Sequence, residues 1–485
     1  MRRSSSAILS SSGLAVILAL MGCGTVPGPG SPGSPATMAA TASAGADAAG
    51  TGAGAAGMET GSTLFADGAS HTVSISWNED DYAEMIAAYE ADGSKEWIQA
   101  DITIDGTDVS NIGVRLKGNS TLRSLSGDGA GARGGPGGAS SGISSDVPES
   151  LPLLIDFDKY VDGQAYQGLT QLSLRPGSPV LNEALSLALT GSSGQATQRY
   201  AYTTYSVNGS PTQTRLLVEN PDEAYADSLF DTAGVLYKAD AESNFTYQGD
   251  SLATYDEQFK QLNAEDTADL QPIVDFLKWL SEAGDEEFAA ELSSWVDVES
   301  FARYTATMNL LVNGDDMAGP GQNYYLWYSL ETKKISVISW DLNLAMTGDA
   351  TASPDEEVSL GGGGGMQRPQ GQNNDAGAPP AGAPAGAPAG APAGIPAGTA
   401  GGGGRGGNEL KERFLASEAF ASLYDDAYAE LYAQLYASGT AASLLDRIAA
   451  VVPSSDGLSE EQIAEQAATL RAFIQERTES LGDQL

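Results

Sequence analysis

The residues that decide how this chain folds are LLVNGDDMAGPGQNYYLWYSLETKKISVISWDLNLAM, residues 310–346. A helical run ends here in a polar turn that carries Asp315 and Asp316. Gly and Pro then break the chain, and two apolar strands are predicted, the first opening at Asn323 and the second ending at Asp341. Such residues are ordinary turn and cap residues, but they also supply the hard oxygen ligands of divalent metal and phosphate sites.

A second polar segment, GVRLKGNS at residues 113–120, continues a predicted strand into a small turn. Gly118 permits a tight turn, Arg115 and Lys117 bring positive charge, and free backbone amides can face an anion. The spacing matches neither a P-loop nor a GxGxxG fingerprint. The alternative interpretation is that Arg115 and Lys117, two apart on a strand, form one exposed basic face.

These two segments, together with GQAYQGLTQLSL at residues 163–174, resemble the spore-coat protein H (CotH) kinase family. The pattern of that family has an Asp-bearing turn, an Asn-Tyr-Tyr strand and then Trp-Asp-Leu-Asp. The last of these reads Trp-Asp-Leu-Asn here, with Asn343 in place of the second Asp. The family also has a Gly-x-Arg-x-Lys-Gly-Asn-Ser block, which residues 113–120 match. The resemblance covers roughly residues 63 to 450.

The resemblance implies an α+β chain with an atypical protein-kinase-like fold of two lobes. A β-rich N-terminal lobe and a helical C-terminal lobe would enclose a cleft. It further implies ATP and Mg²⁺ or Mn²⁺ as cofactors, and transfer of a phosphoryl group to Ser or Thr of a protein substrate that the sequence does not identify.

Roles for the acids follow when the resemblance is placed on the phosphoryl-transfer template. Asp341 would bind the metal ion, and Asn323 would be an accessory metal or phosphate ligand. Asp315 would orient or deprotonate the acceptor hydroxyl, and Asp316 is the alternative for that role.

Lys117 is the first candidate for the nucleotide-binding lysine, because Leu153 and Leu154 stand where the family usually has a strand lysine. Lys238 is the second candidate. Glu183, on a predicted helix at residues 182–189, would hold Lys117 in place, as a helix Glu does in kinases. The alternative is a solvated helix Glu. Further candidates for nucleotide binding are Arg115, Asn119 and Glu219.

The composition of the chain limits its partners. Its 485 residues include 24 Lys and Arg against 64 Asp and Glu, a formal net charge of −40. This acidity argues against nucleic acid or an anionic membrane surface as a partner, because phosphate groups attract Lys and Arg. One His excludes a multi-His metal site, and one Cys excludes an internal disulfide.

The N-terminus has the pattern of a bacterial lipoprotein signal peptide, predicted at residues 1–22. Arg2 and Arg3 precede a short apolar run, and Leu-Met-Gly leads directly into Cys23, which would carry the lipid. A plain signal peptide with an incidental Cys is the alternative. We therefore expect an exported protein on the extracytoplasmic face of the cell membrane, which touches the membrane only through its lipid.

Low-complexity segments divide the rest of the chain. Residues 23–62, rich in Gly, Ala and Ser, should form a flexible tether. The kinase-like domain is predicted at residues 63–485, with disordered Gly-, Pro- and Ala-rich insertions at about 124–148 and 353–407. Its last part, residues 408–485, has helical periodicity.

Two other functions stay open on the sequence alone. One is a surface-anchored binding or structural protein that keeps the fold without catalysis. Asn343, the missing strand lysine and the scarcity of ATP outside the cytoplasm favour it. The other is a hydrolase or transferase of the cell envelope that uses the acids differently. The sequence indicates no oligomeric state.

Overall fold

The computed structural model describes residues 63–66, 68–119, 121–125, 143–230, 232–358 and 407–485. Cys23, the predicted signal peptide and tether, and most of both predicted insertions lie outside these ranges. Within them, every helix is too short or too polar to span a bilayer.

The N-terminal part is a closed barrel with the strand order β1-β2-β3-β4-β5-β7-β6. Neighbouring strands are antiparallel, except that β1 and β6 pair in parallel and close the barrel. Helix α1 (Glu79–Asp92) begins at Asn78, whose side chain accepts hydrogen bonds from two backbone amides of the first turn. The strands are β1 (Ser70–Trp77), β2 (Ile98–Ile104), β3 (Thr107–Leu116), β4 (Leu153–Asp156), β5 (Gln171–Leu174), β6 (Tyr200–Val207) and β7 (Gln213–Glu219).

A second, four-stranded sheet and nine further helices form the rest of the described chain. The sheet is antiparallel in the order β11-β10-β8-β9, with β8 (Gly234–Ala239), β9 (Phe259–Gln261), β10 (Tyr324–Ser329) and β11 (Ile335–Ser339). The helices are α2 (Leu181–Ser192), α3 (Glu223–Leu229), α4 (Gln271–Glu282), α5 (Asp285–Trp295), α6 (Val298–Leu310), α7 (Glu409–Ala416), α8 (Glu418–Tyr432), α9 (Thr440–Val451) and α10 (Glu460–Gly482).

The hairpin of β6 and β7 belongs to two hydrophobic cores at once. Successive side chains of a strand point to opposite faces. Tyr205 and Leu217 therefore pack inside the barrel, whereas Tyr202, Leu216 and Val218 pack against the helices and the second sheet. Both faces of this hairpin are thus buried, and it forms the wall between the two cores.

The predicted α+β composition is confirmed, with a β-rich N-terminal part and a mainly helical C-terminal part. An Asn-Gly turn at residues 208–209 between two strand patterns predicts a hairpin at residues 200–219, and Ser459 three residues before Gln462 predicts a capping box. Both are present. Closure of the strands into a seven-stranded barrel is a feature that the sequence pattern does not predict. It depends on pairing β1 with β6, which are far apart in the chain.

Candidate functional site

The turn after α6 is built around the carboxylate of Asp315. Its Oδ1 accepts a hydrogen bond from the backbone amide of Gly321 at 2.7 Å, and its Oδ2 accepts one from Nδ2 of Asn323 at 2.9 Å. A Cβ atom on Gly319 would lie 2.4 Å from Cα of Asp315, and one on Gly321 would lie 2.7 Å from Oδ2. Only glycine fits at position 319, where the neighbour is backbone, and a larger residue at position 321 would push the Asp315 carboxylate away from its donors. The chain can therefore wrap closely around the acid.

The two neighbouring acids of this turn have different surroundings. Asp316 is 2% exposed, and its Oδ2 pairs with Nζ of Lys411 at 2.5 Å. Within the part of the chain that the structure describes, the hydrogen-bond donors to the Asp315 carboxylate are all neutral. Burial raises the pKa of the Asp315 carboxyl, and the negative charges of Asp341 and Asp316 raise it further. Of the two candidates for the base, Asp315 therefore has the more suitable surroundings, while Asp316 is held in an ion pair.

Asp341 lies just beyond β11 in a left-handed backbone conformation, with φ 55° and ψ 61°. One of its carboxylate oxygens accepts a hydrogen bond from Arg175. The side chain keeps 27% of its surface exposed, so the carboxylate can still contact a ligand.

Arg175, which follows β5, is the central cation of the site, and the sequence interpretation missed it. It is 6% exposed, and its guanidinium pairs with both Asp341 and Glu183, the latter at 2.9 Å from Nε to Oε2. The predicted pairing of Glu183 with Lys117 is therefore wrong. The alternative of a solvated helix Glu is wrong as well, since Glu183 is 2% exposed.

The charges of this buried group influence one another. Burial raises the pKa of the Glu183 carboxyl and the Asp341 charge adds to this, although Arg175 opposes it. Burial by itself would lower the pKa of the Arg175 guanidinium, but Asp341 and Glu183 together raise it. Arg175 consequently stays charged and ties α2 to the end of β11.

The indole ring of Trp340 brings three cations together. Lys117 Nζ lies 5.1 Å from the ring centroid, Arg175 Cζ 5.9 Å and Lys238 Nζ 6.0 Å, which are distances typical of cation–π contacts. We call Trp340 and these three cations the Trp340 cluster. Both candidates for the phosphate-binding lysine are therefore members of one cluster, although they come from the barrel and from the second sheet.

The two lysines of the Trp340 cluster are unfavourable places for positive charge. Burial lowers the pKa of Lys117 well below its usual value, and Lys238, Arg175 and Arg115 lower it further against the opposing effect of Asp341. Burial also lowers the pKa of Lys238. An anion bound beside them would relieve this repulsion.

Arg115 and Lys117 do not form one exposed basic face, because they contact different aromatic rings. Cζ of Arg115 lies 4.8 Å from the ring centroid of Trp97, whereas Lys117 is directed to Trp340 and is only partly exposed. The predicted alternative of a solvated basic strand face is therefore wrong for Lys117.

Two further predicted residues have partners outside the Trp340 cluster. The side-chain oxygen of Asn119 accepts a hydrogen bond from Lys95 at 2.7 Å. Glu219 accepts two hydrogen bonds from the guanidinium of Arg199, at 2.6 and 3.0 Å, and one from its backbone amide at 3.3 Å. Their roles in nucleotide binding stay predictions.

Several residues that lead into or form the site have strained backbones. Val180 precedes α2 with φ 55°, Val312 precedes the Asp315 turn with φ 49°, and Asp341 has φ 55°. This left-handed region is uncommon for non-glycine residues and a clear outlier for β-branched ones. Such strain persists only where the surrounding structure imposes it, and it concentrates at functional sites.

The donor set around Asp341 fits a divalent cation that is shared with phosphate. In the described ranges, no group of three or more His, Cys, Asp or Glu could hold a metal ion by itself. Proteins usually hold Mg²⁺ through one or two carboxylates, with phosphates and water completing the shell. The partly exposed Asp341 carboxylate matches that pattern. The backbone oxygen of Asn323 accepts a hydrogen bond from the amide of Trp340, and the side-chain oxygen of Asn323 is a further candidate ligand, since its Nδ2 is used by Asp315.

Comparison with known proteins identifies the family of the chain. The family model described as CotH kinase protein matches residues 115–481. The chain belongs to the CotH kinase family. The family resemblance predicted from the sequence is thereby confirmed, and the CotH match includes the Trp340 cluster, the Asp315 turn and Asp341. No curated protein matches the chain.

Proposed function

We propose that this CotH family member is a protein Ser/Thr kinase that transfers the γ-phosphoryl group of ATP with Mg²⁺ or Mn²⁺. The observation that carries the proposal is the Trp340 cluster, in which three cations gather next to Asp341 in a chain of net charge −40. Positive charge concentrated at one point of so acidic a molecule favours a polyanionic ligand.

The residues would divide the work of phosphoryl transfer as follows. Lys117 and Lys238 would neutralise phosphate charge, while Arg175 positions Asp341. Asp341 and Asn323 would hold the metal ion, which supplies charge neutralisation of the phosphates when bound.

Asp315 would orient and deprotonate the acceptor hydroxyl. Its raised pKa supports this role, because a general base is more effective when its pKa is closer to the working pH.

The proposal extends to the architecture and the location of the protein. The barrel would be the N-terminal lobe and the helical part the C-terminal lobe of a kinase-like fold. The meeting of Lys117 from the barrel with Lys238 from the second sheet supports a site between them. The lipoprotein signal pattern that ends at Cys23 supports export and anchoring by a lipid. The substrate would be a protein, and the net charge of −40 argues against a nucleic acid partner.

Autophosphorylation with labelled ATP tests the proposal. The wild type should incorporate phosphate in the presence of Mg²⁺ or Mn²⁺. Lys117→Ala, Asp315→Asn and Asp341→Asn should each reduce the rate at least about a hundredfold, as expected when a charged or acid–base group is removed. The matched control is Lys278→Ala, which removes an exposed lysine paired with Asp250. Equal loss of activity in the control and in Lys117→Ala would contradict the assignment.

A kinase-like binding protein without catalysis is the second candidate. The ion pair of Arg175 with Asp341 favours it, because this pair occupies part of the carboxylate that should bind metal. Asn343 at the second acid position of the family also favours it. A rise of the melting temperature with Mg²⁺ and ATP, but no phosphate transfer to itself or to added proteins, would identify the binding protein.

A further inference from the structure

A chain of three hydrogen bonds connects Lys117 to a carboxylate on another strand of the barrel. Nζ of Lys117 donates to Oδ1 of Asn220 at 2.5 Å, and Nδ2 of Asn220 donates to Oε1 of Gln171 at 2.7 Å. Nε2 of Gln171 then donates to Oδ2 of Asp156 at 2.7 Å. Asn220 and Asp156 are each 8% exposed, whereas Lys117 and Gln171 are half-buried.

The carboxylate end of this chain fixes the direction of both amides. A carboxylate can only accept hydrogen bonds. Gln171 must therefore turn its NH₂ group to Asp156 and its oxygen to Asn220. Asn220 must in turn present its oxygen to Lys117. The Asp156 carboxylate is itself held in place, because its Oδ1 accepts a hydrogen bond from the backbone amide of Asp158 at 3.0 Å. Asp156 also lies directly opposite Gln171 in the pairing of β4 with β5.

Lys117 and Arg175 are held in opposite ways within the Trp340 cluster. Arg175 has two carboxylate partners, Asp341 and Glu183, which offset its charge. Among the described residues, Lys117 has no carboxylate within ion-pair distance, and its hydrogen-bond acceptor is the neutral amide of Asn220.

We propose that Asn220 is a positioning residue that fixes the ammonium group of Lys117 in the site without neutralising it. Gln171 and Asp156 keep the amide of Asn220 in the required orientation. A carboxylate at position 220 would hold the lysine equally well, but it would cancel the charge that an incoming phosphate needs. This inference rests on the proposed function of Lys117 in binding phosphate.

Asn220→Asp tests the idea with almost no change of shape. The new carboxylate would pair with Lys117. Gln171 would then lie between two carboxylates, and its single NH₂ group could not donate well to both. We expect binding of inorganic tripolyphosphate to weaken roughly tenfold, a ratio that corresponds to about 1.4 kcal/mol. The probe is tripolyphosphate itself, and its affinity is read from the rise of melting temperature with concentration.

Gln171→Leu is the second variant, because it leaves Asn220 in place but free to rotate. It should raise KM for ATP several-fold with little change in kcat, since a misplaced Lys117 weakens binding before it affects chemistry. Gln164→Leu is the matched control. Gln164 also donates its amide to neighbouring groups of the barrel, the carbonyls of Ser110 and Phe157, but it has no link to Lys117.

The parallel variant Lys117→Ala separates failure of this inference from failure of the proposed function. If Lys117→Ala binds tripolyphosphate as tightly as the wild type, the phosphate role of Lys117 is wrong. If Lys117→Ala loses binding while Asn220→Asp and Gln171→Leu bind and turn over like the wild type, the positioning role of Asn220 is wrong. A loss in Gln164→Leu equal to that in Gln171→Leu would also overturn it, because general damage to the barrel would then explain both.

Discussion

Single residues in this site take their properties from their neighbours. Asp315 and Asp316 are adjacent and chemically identical, yet one is held by neutral donors and the other by the ammonium of Lys411. Arg175 likewise gains its role from Asp341 and Glu183, which come from different parts of the chain. Chemistry is therefore assigned here by the surroundings of each carboxylate.

The raised pKa of Asp315 predicts a pH dependence of stability. A carboxyl whose pKa is higher in the folded than in the unfolded state stabilises the fold at low pH. That contribution is lost as the pH rises from 3.8, the ordinary pKa of the carboxyl, through the raised pKa of the folded state. The unfolding free energy of the wild type should therefore fall relative to that of Asp315→Asn as the pH rises above about 4.

Denaturant unfolding of both proteins at several pH values measures this difference. Asp315→Asn itself should be less stable at every pH, because its NH₂ group would face a donor. The test is therefore the slope of the unfolding free energy against pH, and not the constant difference between the two proteins. The exposed Asp285→Asn is the control. Parallel curves for the wild type and Asp315→Asn would show that burial does not shift the pKa of this acid.

The residues of the site differ in how far the sequence reveals them. Asp315, Asn323 and Asp341 are predictable because they lie at the ends of a helix and strands with clear patterns. Arg175 immediately follows the recognised segment QLSL, but its partner Asp341 is 166 residues away. Asn220 is 103 residues from Lys117. Contacts over such separations depend on the barrel, which local patterns do not specify.

At the scale of elements, the last helix supports the turn that carries Asp315. Arg477 of α10 is 0% exposed, and its guanidinium donates to the backbone oxygens of Asn309 and Leu310 at the end of α6. It also donates to the carbonyls of Ala350 and Ala352. Positive charge is favourable at a helix C-terminus, where unpaired carbonyls collect. A residue near the end of the sequence thereby secures a turn more than 150 residues earlier.

Arg477→Met should lower the free energy of unfolding by at least about 3 kcal/mol, because several buried carbonyls lose their donor and each unsatisfied one costs about 1–3 kcal/mol. The exposed Arg447→Met on the neighbouring α9 should change stability by less than about 0.5 kcal/mol. Urea unfolding measures both. Equal effects of the two substitutions would contradict the bracing role of Arg477.

Elements with local sequence signals are predictable here, but the closure of the strands into a barrel is not. The capping box at Ser459 and the hairpin at residues 200–219 follow from residues close in sequence. The parallel pairing of β1 with β6 joins Ser70 to Tyr202 and has no local signal. For the same reason, the sequence does not predict that the β6–β7 hairpin is shared between the two cores. The alternation of a strand does not show which elements pack against each of its faces.

For the whole molecule, the two cores should unfold together. The β6–β7 hairpin contributes Leu217 to the barrel core and Leu216 to the other core, so opening either core exposes apolar surface of the other. We therefore expect one cooperative thermal transition. Trp97 reports on the barrel and Trp279 on the helical part. Single-tryptophan variants that retain one or the other should give the same midpoint, and two separated midpoints would contradict a common wall.

A shared wall also limits how the family fold can vary over evolution. Replacing a residue on either face of the β6–β7 hairpin changes the fit of its neighbours on the opposite side, since adjacent positions serve different interiors. The barrel could not easily be exchanged for that of a relative, nor could it be cut free as a stable fragment. Recombination at this hairpin should produce chains that fail to fold.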